Sequence, residues 1–175
     1  MDADTQPLFL VLELDEPAAS RITELRTACR DAFRASLPAE ITVTGSSGVG
    51  VLVPGQAIEE IAGVMQEVAQ GFAPVQACFG PVMRFPDTNI FAFTMTDEAP
   101  FRALHHQFVT STLKFERSAF PFKPHCTISS IPVTEEEATR RLRYRWSEAF
   151  SLSTLALYGL RGGQVTRLAT VSLPC

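Results

Sequence analysis

The chain has 175 residues, 46% of them hydrophobic and 19% charged, enough apolar material for one sizeable core or two small lobes sharing an interface, which excludes disordered and fibrous classes. Its 15 Lys and Arg against 19 Asp and Glu give a formal net charge of −4, so no strong positive field draws it to bulk nucleic acid and a nucleotide-like ligand has to be caught locally. Residues 1–7 are acidic and polar, and the apolar run 8–14 is short and carries Glu13, so neither a signal peptide nor a membrane span is expected and a cytoplasmic location follows by default. Cys29, Cys78, Cys126 and Cys175 lie far apart without a C-x-x-C pair, which predicts reduced thiols and no metal site.

In chain order, the near-continuous apolar run 8–14 predicts a strand covered on both faces. Pro17 then opens a helix in which Ile22, Leu25, Cys29 and Phe33 form one stripe, ended by Leu37-Pro38. Residues 40–44 are β-branched and alternating, and Gly45-Ser46-Ser47-Gly48 stops that short strand; the run to Gly50 lacks the Lys-Ser/Thr of a phosphate loop and reads as a flexible turn. After Pro54-Gly55 comes a helix with Ile58, Ile61, Met65, Val68 and Phe72 on one face, then a strand over 75–84 broken near Gly80-Pro81.

The same order of elements starts again with a strand over 89–95, a helix capped by Thr96 or Asp97 with Phe101, Leu104 and Phe108 as its stripe, and a loop over 111–124. Residues 125–129 resume as strand, Thr134 to Glu137 is a capping box opening a helix to about Arg145, and the tail alternates on both sides of Gly162-Gly163 as a hairpin. Two related halves are therefore expected, about 8–86 and 88–175 within a single domain, with exchange of the first strand and the final hairpin between lobes left open.

The matching short strands carry the chemistry. Side chains on a strand alternate, so His125 and Thr127 share one face while Cys126 and Ile128 take the other, and in the first half Glu40 and Thr42 share a face opposite Ile41 and Val43. Glu-Ile-Thr-Val stands against His-Cys-Thr-Ile, each just after a proline, Pro38 or Pro124, with Arg84-Phe85-Pro86 before the mid-chain strand and a hairpin at the end. On these features the chain resembles the 2H phosphoesterase superfamily, which includes 2'-5' RNA ligase-like proteins and cyclic phosphodiesterases and is marked by two His-x-Thr/Ser strands. The resemblance implies an α+β fold of two pseudo-symmetric lobes, with two antiparallel sheets facing a central cleft and helices packed outside.

It further implies metal-independent, cofactor-free chemistry in which one motif residue is a general base, the other a general acid, and the two threonines hold phosphate. Carried over residue by residue, that gives Glu40 and His125 as the catalytic pair and Thr42 and Thr127 as phosphate-binding groups. The departure is Glu40 where the family has histidine. A carboxylate can serve as base while His125, held protonated by it, donates to the leaving group. A carboxylate about 4–6 Å from a phosphate anion nevertheless costs on the order of 3–4 kcal/mol at an effective dielectric near 20. Arg84, Lys123, Arg117 and Arg161 are candidate compensating contacts, each with a surface charge as its ordinary reading, and Tyr158 and Phe85 candidate base-stacking groups whose ordinary reading is core packing.

His105 and His106, adjacent on a helix, read as a solvated face, and Arg140, Arg141, Arg143 and Arg145 as charges facing water near a helix C-terminus. The expected partner is a small nucleotide or RNA terminus bound by a monomer, with no membrane contact. Three functions stay open: a phosphodiesterase acting on RNA ends, cyclic phosphates or 2'-5' linkages; a non-catalytic nucleotide-binding relative; and an unrelated α+β interaction protein.

Overall fold

The computed structural model describes residues 6–175; the acidic segment 1–5 lies outside the described residues. β1 (Leu8–Glu13) is the run expected at the start, and Leu10, Val11 and Leu12 are fully buried. The helix expected from Pro17 to Leu37 is instead two, α1 (Ala18–Ala28) and α2 (Ala32–Ser36). Arg30 takes a left-handed φ of 58°, and the Asp31 carboxylate then caps α2 by accepting from Arg34 N at 2.9 Å. The break turns Phe33 out of the predicted apolar stripe, leaving it 44% exposed.

β2 (Glu40–Thr44) has the bounds expected, with Ile41 and Val43 buried and Glu40 and Thr42 half-buried on the other face. β3 (Val49–Leu52) begins within the supposed flexible turn at 45–50, β7 (Phe115–Arg117) lies within the expected loop at 111–124, and the two pair with each other as a ribbon. Between them come α3 (Ile58–Ala69), β4 (Val75–Ala77), β5 (Phe79–Arg84), β6 (Phe91–Met95) and α4 (Ala99–Val109). The break expected at Gly80-Pro81 falls at Cys78, and residues 80–81 form a bulge against β6. Asp97 contributes a turn bond from Ala99 N at 2.9 Å, one residue before the N-cap of α4. Phe101, Leu104 and Phe108 are fully buried, as their spacing requires.

β8 (His125–Ser129) again has the bounds expected; α5 (Glu135–Leu142) is capped by Thr134 accepting from Glu137 N and ends before Arg145. β9 (Phe150–Leu152), β10 (Thr154–Arg161) and β11 (Gln164–Ser172) complete the chain. Every sheet is antiparallel: a four-stranded one in the order β11-β10-β1-β2, a three-stranded one in the order β5-β6-β8, and the ribbons β3-β7 and β4-β9. The fold is α+β, with α3 against β10 and β11, α4 against β2, α5 against β5, and α1 with α2 against β8. No helix among the described residues is long and apolar enough to cross a membrane.

β2 and β8 belong to different sheets but pack against each other, and buried polar groups tie them. Arg26 occupies the α1 position four residues after Ile22, inside the apolar stripe, and is 1% exposed. Its Nε donates to the Thr127 carbonyl at 3.0 Å, and Nη1 to the carbonyls of Arg34, Leu37 and Pro38 at 3.2, 3.1 and 3.1 Å. Asp31 Oδ2 accepts from Ser130 N at 2.7 Å just beyond β8. Arg141, expected to face water, is 3% exposed and donates to the Cys29 carbonyl at 3.0 Å and to Ser129 Oγ. Arg26→Met removes the donor to four carbonyls in a site water does not reach, so it is expected to lower stability by about 2–4 kcal/mol in urea unfolding; a change within about 0.5 kcal/mol, the range of an ordinary surface substitution, would contradict this placement.

Candidate active site

Glu40 opens β2 and lies opposite Glu13 of β1. Glu13 is already taken: its carboxylate accepts from Tyr158 Oη at 2.7 Å and from Arg167 Nε and Nη2 at 2.7 and 2.9 Å. Glu40 Oε2 accepts from the Thr42 hydroxyl at 2.9 Å, and Oε1 makes no hydrogen bond among the described residues. Burial pushes the Glu40 carboxyl above its ordinary value of 4.5, opposed by the charges of Arg26 and Arg34 and by the Thr42 bond. Thr42, expected to hold phosphate, thus spends its proton on its neighbour.

The second half-site is arranged differently. His125 sits opposite Thr94 and Thr127 opposite Ala92 in the β6–β8 register. The His125 Nδ1 lies 2.6 Å from the Lys123 carbonyl, which fixes the tautomer with Nδ1 protonated and leaves Nε2 as the basic nitrogen. Phe85 meets the ring edge-on with centroids 4.8 Å apart, holding its plane. Burial lowers the imidazole pKa below 6.5, the Lys123 bond opposes this, and the charges of Arg34 and Lys123 lower it further. Among the described residues no ion pair joins His125 to Glu40, so the sequence-based picture of an imidazolium held by that carboxylate does not describe this structure. The Thr127 hydroxyl makes no hydrogen bond among the described residues, so Nε2 and this hydroxyl share a strand face with open valences. Cys126 points into the core, where burial raises its thiol to about 11.

A cleft of about 260 Å³ lies on the β2 side. Phe9, Phe33, Leu37, Pro38, Leu160 and Val165 form apolar walls, and Arg34, Glu40 and Thr42 supply polar groups; His125 and Thr127 lie outside its lining. Tyr158 lines the cleft, but its ring is buried, edge-on to Phe9, and its hydroxyl is committed to Glu13. Arg34 Nε donates to Ser130 Oγ at 3.0 Å, and its charge acts on both Glu40 and His125.

The other expected contacts lie outside the lining of this cleft. Arg84 donates to the Thr88 carbonyl at 2.7 Å and Asn89 at 3.2 Å, pairs loosely with Glu135, and lines a separate groove with residues 85–89. Lys123 pairs with Glu98 and serves His125 through its carbonyl. Arg117 ends β7 and Arg161 ends β10, both exposed. His105 is not solvated: its Nδ1 lies 2.7 Å from the Val43 carbonyl of β2 and its ring stacks on Phe122 at 4.0 Å, because α4 packs down on β2. The spacing from Phe101 to His105 carries that signal, whereas Arg34 has none beyond its place three residues after the Asp31 cap. Among the described residues no group of three His, Cys, Asp or Glu side chains converges as a metal site would.

Comparison with solved structures shows the same fold in several proteins. The protein TT0787 of Thermus thermophilus superposes with a TM-score of 0.66 at 18% identity, covering 95% of this chain and 97% of that one. LigT of E. coli, solved in complex with 3'-AMP, gives 0.55 at 16% identity over 96% and 98%. Usb1 of Kluyveromyces marxianus gives 0.52 at 12% identity over 99% and 100%. No curated protein sequence matches the chain. The 2'-5' RNA ligase superfamily model does match, over residues 14–164, and the chain belongs to that superfamily.

Proposed function

We propose that the protein is a metal-independent phosphodiesterase acting on a small nucleotide or RNA end, such as a cyclic phosphate or a 2'-5' linkage, with an asymmetric acid–base pair. The observation that carries this reading is the second half-site, where His125 Nε2 and the Thr127 hydroxyl share a strand face and have no hydrogen-bond partner among the described residues. Membership of the superfamily supports phosphoesterase chemistry in general, and LigT is solved with 3'-AMP. The two half-repeats, about 8–86 and 88–175, belong to the same reading; the pairing of β1 with β10 and of β4 with β9 supports an exchange of strands between them.

In this mechanism the roles expected from sequence are exchanged. His125, neutral because burial disfavours its charged form, takes the proton of water or a ribose hydroxyl at Nε2. The nucleophile attacks phosphorus, the Thr127 hydroxyl donates to a non-bridging oxygen, and the bond to the leaving oxygen breaks. Glu40, whose carboxyl burial keeps protonated to higher pH, gives that oxygen its proton from Oε1. With water as nucleophile the product is a phosphate monoester, and the released hydroxyl stays on the same ribose when the substrate is a cyclic phosphate or departs as an alcohol when it is a 2'-5' linkage; with a ribose hydroxyl as nucleophile the products are a cyclic phosphate and an alcohol. His125 then returns its proton to solvent and Glu40 regains one. A neutral Glu40 also avoids the repulsion between a carboxylate and the phosphate. The bond from Thr42 to Glu40 favours a second reading, a binding module whose first half-site is closed on itself.

Purified protein with a chelator present is expected to hydrolyse 2',3'-cyclic nucleotides or 2'-5' dinucleotides, and His125→Ala to lose about 10²- to 10⁴-fold in kcat/KM, the range for a general acid–base group. Equal rates in variant and wild type would dismiss the mechanism, and nucleotide binding without turnover in the wild type would favour the module. Because burial raises the Glu40 carboxyl from its ordinary 4.5 and lowers the His125 imidazole from 6.5, the form with the acid protonated and the base neutral is more populated than it would be for unperturbed groups, and activity is expected to fall on the acid side as His125 is protonated and on the alkaline side as Glu40 ionises. A pH–rate profile lacking either limb would contradict that. Glu40→His replaces a group that repels phosphate when ionised by one that attracts it when protonated, and is expected to raise activity; a fall would show that the carboxyl has its own indispensable part.

A further inference from the structure

The geometry points to Arg34 as the residue that anchors the anion of the ligand, a phosphate or phosphodiester group, in place of the attraction that the first motif lost with its histidine. The inference rests on the phosphodiesterase or nucleotide-binding reading of the site and adds the residue that recognises the charge.

Arg34 is built into position. Asp31 caps the helix that carries it, and the same carboxylate accepts from Ser130 N at 2.7 Å and Ser130 Oγ at 3.2 Å. Ser130 Oγ in turn accepts from Arg34 Nε at 3.0 Å, so one edge of the guanidinium is clamped to the end of β8. The guanidinium also lies over the Phe33 ring, 5.8 Å from its centroid. Its Nη atoms make no hydrogen bond or ion pair among the described residues. Arg34 lines the cleft with Glu40 and Thr42, and its charge acts on Glu40 in β2 and on His125 in β8, which places it between the half-sites. A rigid planar fork with its outer edge unpaired, facing a cleft, is what bidentate recognition of a phosphate requires.

The neighbouring cations are occupied. Arg26 gives its protons to four backbone carbonyls, Arg167 is forked onto Glu13, and Lys123 is paired with Glu98. Among the described residues Arg34 is the cation in the lining of the cleft.

The test is titration of the full chain with inorganic phosphate at low ionic strength, by calorimetry, in wild type, Arg34→Gln, Arg34→Lys and Ser130→Ala, with thermal unfolding recorded for each. Arg34→Gln is expected to weaken phosphate binding roughly 10- to 100-fold, the range for lost charge-assisted hydrogen bonds. Arg34→Lys, a point charge without the fork, falls between, and Ser130→Ala, which unclamps the fork but keeps its charge, weakens binding a few-fold at about the wild-type unfolding temperature. Binding within about twofold of wild type in a folded Arg34→Gln would overturn the inference; if that variant does not fold, unchanged affinity in Arg34→Lys does so. On a hydrolysed substrate Arg34→Gln should raise KM more than it lowers kcat, which a purely structural arginine would not do. Phosphate binding that depends on Arg34 in a protein that hydrolyses nothing would end the phosphodiesterase reading and leave this inference standing.

Discussion

The guanidinium of Arg26, enclosed between α1 and two strands of different sheets, donates on one side to the Thr127 carbonyl in β8 and on the other to the carbonyls of Arg34, Leu37 and Pro38, the segment that feeds β2. Backbone carbonyls shut away from water need donors, and a planar ion with several N–H groups can supply them in directions no apolar side chain could. The relative placement of the motif strands follows from this contact, and Asp31 with Ser130 and Arg141 with Ser129 reinforce it from either flank. The cost of burying the ion is met by hydrogen bonds to dipoles, and among the described residues no carboxylate forms an ion pair with it.

That scaffold presents two half-sites with opposite characters. On β2 the carboxyl and hydroxyl satisfy each other, and burial favours the neutral acid. On β8 the imidazole is oriented by a backbone carbonyl and an aromatic edge, and neither its Nε2 nor the Thr127 hydroxyl has a hydrogen-bond partner among the described residues. Burial therefore shifts the acid upward and the base downward, so that the protonated acid and the neutral base coexist more readily than in unperturbed groups. Replacing histidine by glutamate leaves proton transfer available, while the task of attracting an anion has to pass to another group.

Both motif strands were legible from residues alone because β-branched alternation bounded by proline and turn residues leaves little freedom in where a strand begins and ends, and the bounds 40–44 and 125–129 match the structure. The superfamily resemblance drawn from them agrees with the family match over residues 14–164. What stayed hidden depended on contacts distant in sequence. The β3–β7 ribbon is made of one glycine-containing strand and one of three residues, neither with an apolar period of its own. Arg26 interrupts a hydrophobic stripe, and nothing in the local pattern shows that β8 lies over it. His105 follows Phe101 by four residues on the buried side of α4, a spacing that marks it as packed, yet its adjacency to His106 suggested a solvated pair. The residues alone offer Arg84, Lys123, Arg117 and Arg161 as compensating cations, whereas the helix break at Arg30 carries Phe33 and Arg34 to the cleft.

The account turns on the protonation states of one carboxyl and one imidazole, and an NMR titration that follows the Glu40 carboxyl carbon and the His125 ring nitrogens in the same sample measures both. It should find Glu40 titrating above 4.5, His125 below 6.5, and the neutral ring protonated at Nδ1. A histidine titrating above 6.5 beside a glutamate titrating below 4.5 would instead reveal an ion pair, and would contradict the proposed division between acid and base.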